Sequence, residues 1–342
     1  MARVPAVIAT PLEPELVERL REVDDRLDVR FEAALLPSPR HPSDHIGDLG
    51  FRRSPEQERR FTELIERAEV VLGFPGESPA GLAWVIRTAP RLRFLQCMFA
   101  GAGEQVRAAN LTAQELDRVA IASTSGVHAV PLAEWSLFGL LALTKQLPRL
   151  LRDRHERRWE RYPVHELRGK TLIVVGLGEI GREVARLAEA FGMDVIGIRR
   201  EPDTDAVGPD RLDEIVGKAD AIVVTLPLTE QTRGLIGRQT IERMREGAIF
   251  VNVGRGAVVD EEALIDALRS GKLGGAALDV FAEEPLAPSS PLWQLDNVII
   301  SPHTAALSWH ENERIVELFA ENLRRYLHGE QLLSRVRTTV FY

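Results

Sequence analysis

The sequence predicts an α/β protein built around parallel sheets, with helices on both faces of each sheet. Two observations predict this class. Short apolar runs alternate with amphipathic segments along most of the chain, and a glycine-rich turn joins one buried run to a helical segment. Strands that alternate with helices form parallel sheets, because each helix carries the chain back to the same edge. A length of 342 residues is typical of about two domains.

The composition is that of a globular protein, and it argues against several classes of partner. Asp and Glu outnumber Lys and Arg by 51 to 43, which disfavours nucleic acid because phosphate binding needs a basic surface. Cys97 is the single cysteine, so no intrachain disulfide is possible, as in a reducing compartment. No apolar stretch has the length of a membrane span, and the first is too short for a signal peptide. We therefore expect a cytoplasmic protein that binds neither membranes nor nucleic acid.

The first third of the chain contains one alternation of strands and helices. The predicted strands are Val4–Ala9, Leu27–Phe31, Val70–Phe74, Leu92–Phe99 and Val119–Ser123, and the predicted helices are Glu13–Val23, Pro55–Ala68 and Pro79–Thr88. The proline-rich stretch Leu36–Pro55 interrupts the alternation and predicts a long surface loop. Its two histidines, His41 and His45, are expected to be solvated rather than to bind a metal.

A second alternation begins at Lys170 and is long enough for a complete doubly wound sheet. Its predicted strands are Thr171–Val175, Asp194–Ile198, Ala221–Thr225, Ala248–Val253, Gly274–Leu278 and Val298–Ser301. Helices are predicted before it, at Pro131–Leu147, and after it, at Glu311–His328. The arginine-rich segment Arg152–Arg161 fits a solvated helix face at least as well as a partner-binding surface.

A dinucleotide site is predicted where the first strand of this second run ends. Gly176, Gly178 and Gly181 form a GxGxxG pattern, with Glu179 and Ile180 between the last two glycines, and a helical segment follows. Such glycines allow a tight turn, let the backbone approach a pyrophosphate and let helix and strand pack closely. The N–H groups at the start of the helix would bind the phosphates.

The next strand ends in Arg199 and Arg200, where an NAD-preferring site would place an acidic side chain. A guanidinium binds a 2′-phosphate with charge-assisted hydrogen bonds, so the pair favours NADP(H), with NAD(H) as the alternative. The nearby carboxylates of Glu201, Asp203 and Asp205 argue against NADP(H), because they could repel the 2′-phosphate or bind the ribose.

Three later motifs follow consecutive predicted strands. They are Gly254-Arg255-Gly256, the segment from Asp279 to Glu284-Pro285, and Ser301-Pro302-His303. Ligands of parallel sheets bind at the carboxyl ends of the strands, so these side chains are expected near the cofactor. Together with the glycine turn and the Leu226–Thr229 loop, the pattern resembles the D-isomer-specific 2-hydroxyacid dehydrogenase family. The resemblance covers nearly the whole chain and is strongest from Lys170 to Ala306.

The resemblance implies a Rossmann cofactor domain inserted in a flavodoxin-like substrate domain, with the active site in the cleft between them. The substrate domain would comprise residues 1–125 and the terminal helix of residues 309–342, and the cofactor domain residues 126–308. The two crossings of the chain would form a hinge that closes around the substrate. A homodimer formed through the cofactor domain is also implied, with Pro131–Leu147 as the candidate contact.

The implied reaction is hydride transfer between a nicotinamide cofactor and a small 2-oxo acid or D-2-hydroxy acid, in the reductase direction with glyoxylate-like or hydroxypyruvate-like substrates. Reduction places negative charge on the carbonyl oxygen, so a proton donor is required, and His303 is the candidate. By its match to the family's Glu-Pro motif, Glu284 rather than Glu283 would hold the imidazole. Arg255 would pair with the substrate carboxylate and polarise the carbonyl.

The resemblance also assigns the remaining contacts. Backbone N–H groups of the loop at Gly101 and Ala102 would bind the substrate carboxylate, although Gly103 stands where an acidic residue is common. Asp279 would bind the nicotinamide carboxamide, unless it only caps the following turn. Further cofactor contacts are expected from Leu226, Pro227, Thr232, Val253, Gly254 and His303. No metal site is expected.

The sequence offers alternatives for two residues and for the function. His128 precedes the apolar helix and is expected to cap it or to pack at the hinge, whereas Trp309 would border either the substrate pocket or the terminal helix. A dinucleotide-sensing, corepressor-like scaffold of the same fold is the alternative function. A formate-dehydrogenase-like enzyme is disfavoured, because such sites pair the histidine with an amide and here the candidate partner is Glu284.

Overall fold

A computed structural model describes residues 3–202 and 206–338 of the chain. The chain divides into two compact units, one formed by Met1–His128 with Leu307–Tyr342 and the other by Ala129–Ala306. The sequence analysis places the corresponding boundaries after residues 125 and 308. Each unit has its own parallel sheet and its own core.

The first unit contains a five-stranded parallel sheet in the order β2-β1-β3-β4-β5, which is the strand order of flavodoxin-like folds. The strands are β1 (Val4–Ile8), β2 (Leu27–Arg30), β3 (Val70–Leu72), β4 (Phe94–Gln96) and β5 (Ala120–Ala122), and the helices are α1 (Pro14–Arg21), α2 (Pro55–Glu66), α3 (Pro79–Thr88), α4 (Ala102–Ala108) and α5 (Ala113–Arg118). Capping boxes begin α2 at Ser54 and α5 at Thr112, because in each a side chain bonds the N–H three residues ahead.

The second unit contains a seven-stranded parallel sheet in the order β12-β11-β10-β9-β6-β7-β8. Its strands are β6 (Thr171–Val175), β7 (Asp194–Ile198), β8 (Ala206–Val207), β9 (Ala221–Val224), β10 (Ala248–Asn252), β11 (Leu273–Leu278) and β12 (Val298–Ile300), and its helices are α6 (Ala129–Thr144), α7 (Leu147–His155), α8 (Glu179–Ala190), α9 (Leu212–Ile215), α10 (Arg238–Arg243) and α11 (Glu261–Arg269). The strand order reverses beside β6, between β7 and β9. Such a reversal is where doubly wound sheets bind their ligands.

The chain then returns to the first unit as α12 (Glu311–His328), which packs its apolar side chains against β1, β3 and β4. The predicted long strands and helices are all present, with ends shifted by a few residues at most. The helices α4, α5, α9, α10 and α11 and the two-residue strand β8 were not predicted, and α7 was indicated only by its arginine-rich end. All of them are short, so their sequences contain few repeats of a helix or strand pattern. No helix within residues 3–202 and 206–338 is long and apolar enough to cross a membrane.

The stretch Leu36–Pro55 is irregular, as predicted, but it is not solvated throughout. His45 is only 6% exposed, so the prediction that both histidines of this loop are solvated is wrong for His45 and correct for His41. The His45 imidazole bonds Asn312 of α12 through Nε2 at 2.7 Å and lies 3.4 Å from Glu77 through Nδ1. These polar partners offset the free-energy cost of burying the imidazole. The sequence did not reveal them, because they lie far from His45 along the chain.

Candidate active site

The glycine turn after β6 has the backbone that a dinucleotide site needs. Gly176 has a φ of +112°, which favours glycine, and a Cβ there would lie 2.8 Å from Thr225 Oγ1. A Cβ on Gly181 would lie 2.2 Å from the Gly176 carbonyl oxygen, so this position also requires glycine. A Cβ on Gly178 would meet nothing within 4 Å, which leaves open space in front of the first residues of α8, Glu179 and Ile180.

Two neighbouring loops lie against this turn. Thr225 donates a 2.6 Å hydrogen bond to the Gly176 carbonyl, and a Cβ on Gly254 would come within 2.6 Å of the Leu226 carbonyl. Thr232 donates to the Pro227 carbonyl at 2.7 Å and so closes the loop that begins at Leu226. The structure therefore gathers the glycine turn, the Leu226–Thr232 loop and the loop after β10 at one edge of the sheet.

The two arginines of the cofactor prediction follow β7 directly. Arg199 and Arg200 are both exposed, and Glu201 beside them is exposed as well. The carboxylates of Asp203 and Asp205 lie outside the described residues.

Arg255 follows β10, and its position depends on a residue that the sequence analysis missed. Asn252 is 2% exposed; its Oδ1 accepts from Gly254 N at 3.0 Å, and its Nδ2 donates to the Arg255 carbonyl at 3.2 Å. The Arg255 guanidinium is partly buried and donates to the Gly254 carbonyl at 2.7 Å. The signal was available, since asparagine two residues before a glycine often bonds the turn backbone in this way.

His303 and Glu284 form a short pair. The Nδ1 atom of His303 lies 2.7 Å from Oε2 of Glu284, and the other carboxylate oxygen, Oε1, accepts from Phe281 N at 3.0 Å. These contacts fix the ring and leave Nε2 for a substrate. The structure thus brings Glu284 rather than Glu283 to the histidine, and the partner is a carboxylate rather than an amide.

Asp279 braces the backbone that carries His303. The Asp279 carbonyl accepts from His303 N at 2.9 Å, and Oδ1 accepts from Thr304 N and Ala305 N at 2.9 and 3.0 Å. These bonds hold His303 at a φ of +52°, which is uncommon outside glycine. Asp279 therefore does cap the following turn. Its second oxygen, Oδ2, is buried with no hydrogen-bond partner among the described residues. A buried carboxylate oxygen needs a donor, and a carboxamide N–H of a nicotinamide ring fits that need.

The loops that carry Arg255 and Glu284 touch one another. A Cβ on Gly256 would overlap the backbone of Phe281 and Ala282, at 1.8 Å from the Phe281 carbonyl carbon. Only glycine fits there, so the Arg255 loop lies directly on the segment that holds the Glu284 carboxylate. Val253, which lies between Asn252 and Gly254 in the chain, is also buried.

The candidate substrate contacts Gly101 and Ala102 lie in the first unit. Gly101 is the N-cap of α4 and Ala102 is its first residue, so the predicted loop is the start of a helix. The first N–H groups of a helix have no partner inside the helix, and such groups can bind a carboxylate. Nearby Cys97 is fully buried, and burial, with the charge of Glu77, raises the pKa of its thiol, which argues against a nucleophilic role.

Two residues left open by the sequence lie where the chain crosses between the units. His128 is buried and lies 3.0 Å from Glu311 Oε1 through Nε2, so it packs against the start of α12. Trp309 is 82% exposed and does not pack in the core of the first unit. Among the described residues, no group of three or more His, Cys, Asp or Glu side chains is arranged to hold a metal ion.

Comparison with known proteins assigns this chain to a family. Residues 137–305 match the model of the D-isomer specific 2-hydroxyacid dehydrogenase, NAD binding domain. A glyoxylate reductase from Korarchaeum cryptofilum (strain OPF8) is 35% identical over 261 residues, 72% of this chain and 77% of that protein. The chain belongs to the D-isomer specific 2-hydroxyacid dehydrogenase family. It is therefore an NAD(P)-dependent enzyme, and the predicted family and fold class are confirmed.

Two further relatives show how the similarity is distributed. A D-3-phosphoglycerate dehydrogenase from Archaeoglobus fulgidus is 34% identical over 72% of this chain, but the match spans only 47% of that longer protein. The crystal structure of a D-isomer specific 2-hydroxyacid dehydrogenase from Xanthobacter autotrophicus Py2, in complex with NADPH and MES, is 28% identical. It covers 100% of both chains with a TM-score of 0.77. The relatives are named as dehydrogenases or reductases, which favours an enzyme over the corepressor-like scaffold.

Proposed function

We propose that this enzyme reduces a small 2-oxo acid, of the size of glyoxylate or hydroxypyruvate, to the D-2-hydroxy acid. The observation that carries the proposal is the 2.7 Å pair of His303 and Glu284 beside the Arg255 loop. A histidine held by a carboxylate is suited to give a proton to a carbonyl oxygen that gains negative charge. The match to a glyoxylate reductase, which covers 77% of that protein, supports a small substrate.

His303 and Glu284 divide the proton chemistry between them. When bound, the nicotinamide cofactor would supply a hydride to the carbonyl carbon. His303 then gives the Nε2 proton to the carbonyl oxygen, which becomes the hydroxyl of the product, and the ring is left neutral. Glu284 keeps Nδ1 protonated and stabilises the charged imidazolium before transfer, because it lies 2.7 Å from that nitrogen. Oxidation of the hydroxy acid runs the same steps backwards.

The remaining proposed contacts hold the substrate and the cofactor. In the second unit, Arg255 is proposed to bind the 2-oxo acid through its guanidinium. In the first unit, the N–H groups at Gly101 and Ala102 are proposed as carboxylate contacts. The glycine turn at the start of α8 would hold the cofactor pyrophosphate. Asp279 Oδ2, which has no hydrogen-bond partner among the described residues, would accept from the carboxamide. The contacts proposed for the rest of the cofactor are those of Leu226, Pro227, Thr232, Val253 and Gly254.

The activity is tested by assaying purified protein with a panel of 2-oxo acids, each with NADPH and with NADH. We expect glyoxylate and hydroxypyruvate to give the highest kcat/KM, and the product to be the D isomer where the carbon is chiral. The matched control is Arg255→Ala, which should lose activity on every member of the panel while still binding cofactor. Turnover of none of the 2-oxo acids with either cofactor would overturn the proposal.

NADP(H) is the proposed cofactor, on the basis of Arg199 and Arg200 at the end of β7 and of the NADPH in the Xanthobacter relative. A charge-assisted hydrogen bond to the 2′-phosphate contributes about 1.5–3 kcal/mol, or about one to two decades of affinity. Arg199→Asp should therefore weaken NADPH binding about tenfold or more and leave NADH binding similar or improved. A wild-type kcat/KM that is higher for NADH than for NADPH would reverse this assignment.

A homodimer formed through the second unit is the proposed assembly. Several large apolar side chains on and after α6 and α7 are exposed: Phe138 by 47%, Leu150 by 49%, Leu151 by 47% and Trp159 by 98%. Exposed apolar side chains grouped on neighbouring elements favour a protein partner. A second copy of the chain is the partner that the resemblance implies.

A further inference from the structure

Asn252 is the last residue of β10, and its side chain makes two hydrogen bonds to the loop that carries Arg255. Its Oδ1 accepts from Gly254 N at 3.0 Å and its Nδ2 donates to the Arg255 carbonyl at 3.2 Å. The side chain is buried, with the residue 2% exposed, so neither bond is replaced by water at low cost. The Asn252 amide therefore connects the Gly254 N–H group to the Arg255 carbonyl group.

The strand holds Asn252 itself firmly. Its main-chain carbonyl accepts from Asp279 N at 3.1 Å, and it pairs in register with Val224 of β9 and Leu278 of β11. Because β9 and β11 flank it, the asparagine is a fixed point in the middle of the sheet. The Arg255 loop, in contrast, has left the sheet, and the two Asn252 hydrogen bonds tie it to the last residue of β10.

We propose that Asn252 is the positioning residue for Arg255, and that its amide sets the direction in which the guanidinium leaves the sheet. This inference rests on the proposed function, since it gives Arg255 the task of binding the 2-oxo acid. Asparagine suits the place because it offers one acceptor and one donor on a short side chain. Aspartate has nearly the same shape but accepts only, so it would keep the bond from Gly254 N and lose the bond to the Arg255 carbonyl.

The same contacts allow two other roles for Asn252. It could stabilise the sheet without affecting Arg255 in particular, or it could act on the cofactor through Gly254. Each role predicts a different measurement. A general loss of stability lowers the melting temperature, a cofactor role raises the Kd for NADPH, and positioning of Arg255 acts on the 2-oxo acid alone.

A double-mutant cycle separates these roles. We expect Asn252→Asp to lower kcat/KM for glyoxylate about tenfold or more, mainly by raising KM, since a displacement of about 1 Å in a binding group can cost that much. In the Arg255→Ala background, the same change should have no further effect, because the side chain that Asn252 positions is gone. The Kd for NADPH, measured by fluorescence in the absence of substrate, should stay within about twofold of the wild-type value.

A control variant and an activity-independent measurement complete the test. Asn297→Asp also removes an amide donor from a carbonyl, that of Leu268 at 3.2 Å, and should leave kcat/KM unchanged. Oxamate, an unreactive analogue of a 2-oxo acid, should bind the NADPH complex of Asn252→Asp more weakly than that of wild type in a calorimeter. Independent losses in the cycle, or unchanged oxamate affinity, would overturn the role of Asn252. Absence of both oxamate binding and turnover in wild type would instead overturn the proposed function.

Discussion

At the scale of single residues, His303 combines an unfavourable backbone with favourable contacts. Its φ of +52° costs free energy, on the order of 1–3 kcal/mol for a strained residue. The hydrogen bonds that the N–H groups of residues 303–305 donate to Asp279 offset that cost. Strain of this kind persists where the surroundings over-determine a conformation. The imidazole is held on one side by the Asp279 turn and on the other by Glu284.

The first prediction concerns the proton donor. His303→Gln should lower kcat for reduction of glyoxylate by about 100-fold or more, because general acid catalysis contributes on the order of that factor. NADPH binding should persist, because the glycine turn after β6 is unchanged. Steady-state kinetics and fluorescence titration of the cofactor measure the two effects. Turnover close to the wild-type rate would remove His303 from the mechanism.

The second prediction compares two adjacent carboxylates. Glu284→Gln should lower kcat about tenfold or more, because the imidazolium loses the counter-charge that lies 2.7 Å from its Nδ1. Glu283→Gln is the matched control, and its kcat should stay within about twofold of the wild-type value because Glu283 is exposed and makes no such contact with His303. Equal effects of the two substitutions, or a larger effect at Glu283, would show that the wrong carboxylate has been assigned.

The candidate residues could be named from the sequence for a physical reason. Arg255, Glu284 and His303 each follow a predicted strand, and parallel strands bring their carboxyl ends to one edge of a sheet. Asn252 was not found, because its role depends on where one amide points, and that is decided by three-dimensional packing. Asp279 was named from the sequence, with capping of the following turn as one of its two roles, but the sequence did not show that residues 304 and 305 donate the two backbone bonds.

At the scale of elements, long and strongly apolar segments were predicted well and short ones were missed. All strands except the two-residue β8, and the helices α1, α2, α3 and α12, are close to the predicted ranges, since their apolar periodicity extends over several turns or a whole buried run. The helix α4 was missed because Ala102–Ala108 is only seven residues long and begins among small residues. The consequence is local but relevant, since the proposed carboxylate contacts lie at its start.

The loop at Leu36–Pro55 shows a second limit of sequence-based prediction. Its side chains look polar and solvated in sequence, yet Ser43, Asp44 and His45 are buried. Ser43 donates to the Ser308 carbonyl at 2.9 Å, and His45 bonds Asn312. The loop therefore holds the segment that leads into α12. These partners are more than 260 positions apart in the chain, so a periodic sequence pattern cannot predict their contacts.

The third prediction follows from the buried His45. Burial lowers the pKa of its imidazole, but the interactions with Glu77, Asn312 and Glu311 outweigh burial, so the pKa is raised above its ordinary value. A raised pKa in the folded state stabilises the protein fully below the pKa of an unfolded histidine, and this contribution is lost as pH rises through the folded-state pKa. The free energy of unfolding should therefore fall as pH rises above about 6.5, with a slope of at most about 1.4 kcal/mol per pH unit from this group.

Urea unfolding at a series of pH values tests this contribution. His45→Gln should be less stable than wild type at low pH and should show a flatter decline above neutrality. His41→Gln is the control, because His41 lies in the same loop but is exposed, and it should keep the pH dependence of wild type. A His45→Gln protein whose free energy of unfolding follows pH in the same way as wild type would contradict the prediction.

At the scale of the whole molecule, each unit has its own sheet and its own buried core. The two sheets have different strand orders, β2-β1-β3-β4-β5 and β12-β11-β10-β9-β6-β7-β8, and each is covered by apolar side chains on both faces. The chain passes between the units twice, after His128 and before Leu307. His128 and Glu311, which lie close to these two crossings, are paired at 3.0 Å. The prediction of two domains rests on sequence length and on the two runs of alternation, and neither gives any sign of this pairing.

The last prediction concerns the assembly. The chain has a mass of 38.1 kDa, and we expect light scattering to give twice that value. Phe138 on α6 and Leu151 on α7 are each 47% exposed, and a carboxylate at either position would be desolvated in an interface between two copies. Phe138→Glu and Leu151→Glu should therefore shift the mass toward that of a single chain at micromolar concentration. Leu49→Glu is the control: Leu49 is 70% exposed but lies in the first unit, so this variant should keep the wild-type mass. A single-chain mass for the wild type would exclude the dimer, and loss of the dimer in Leu49→Glu alone would move the interface to the first unit.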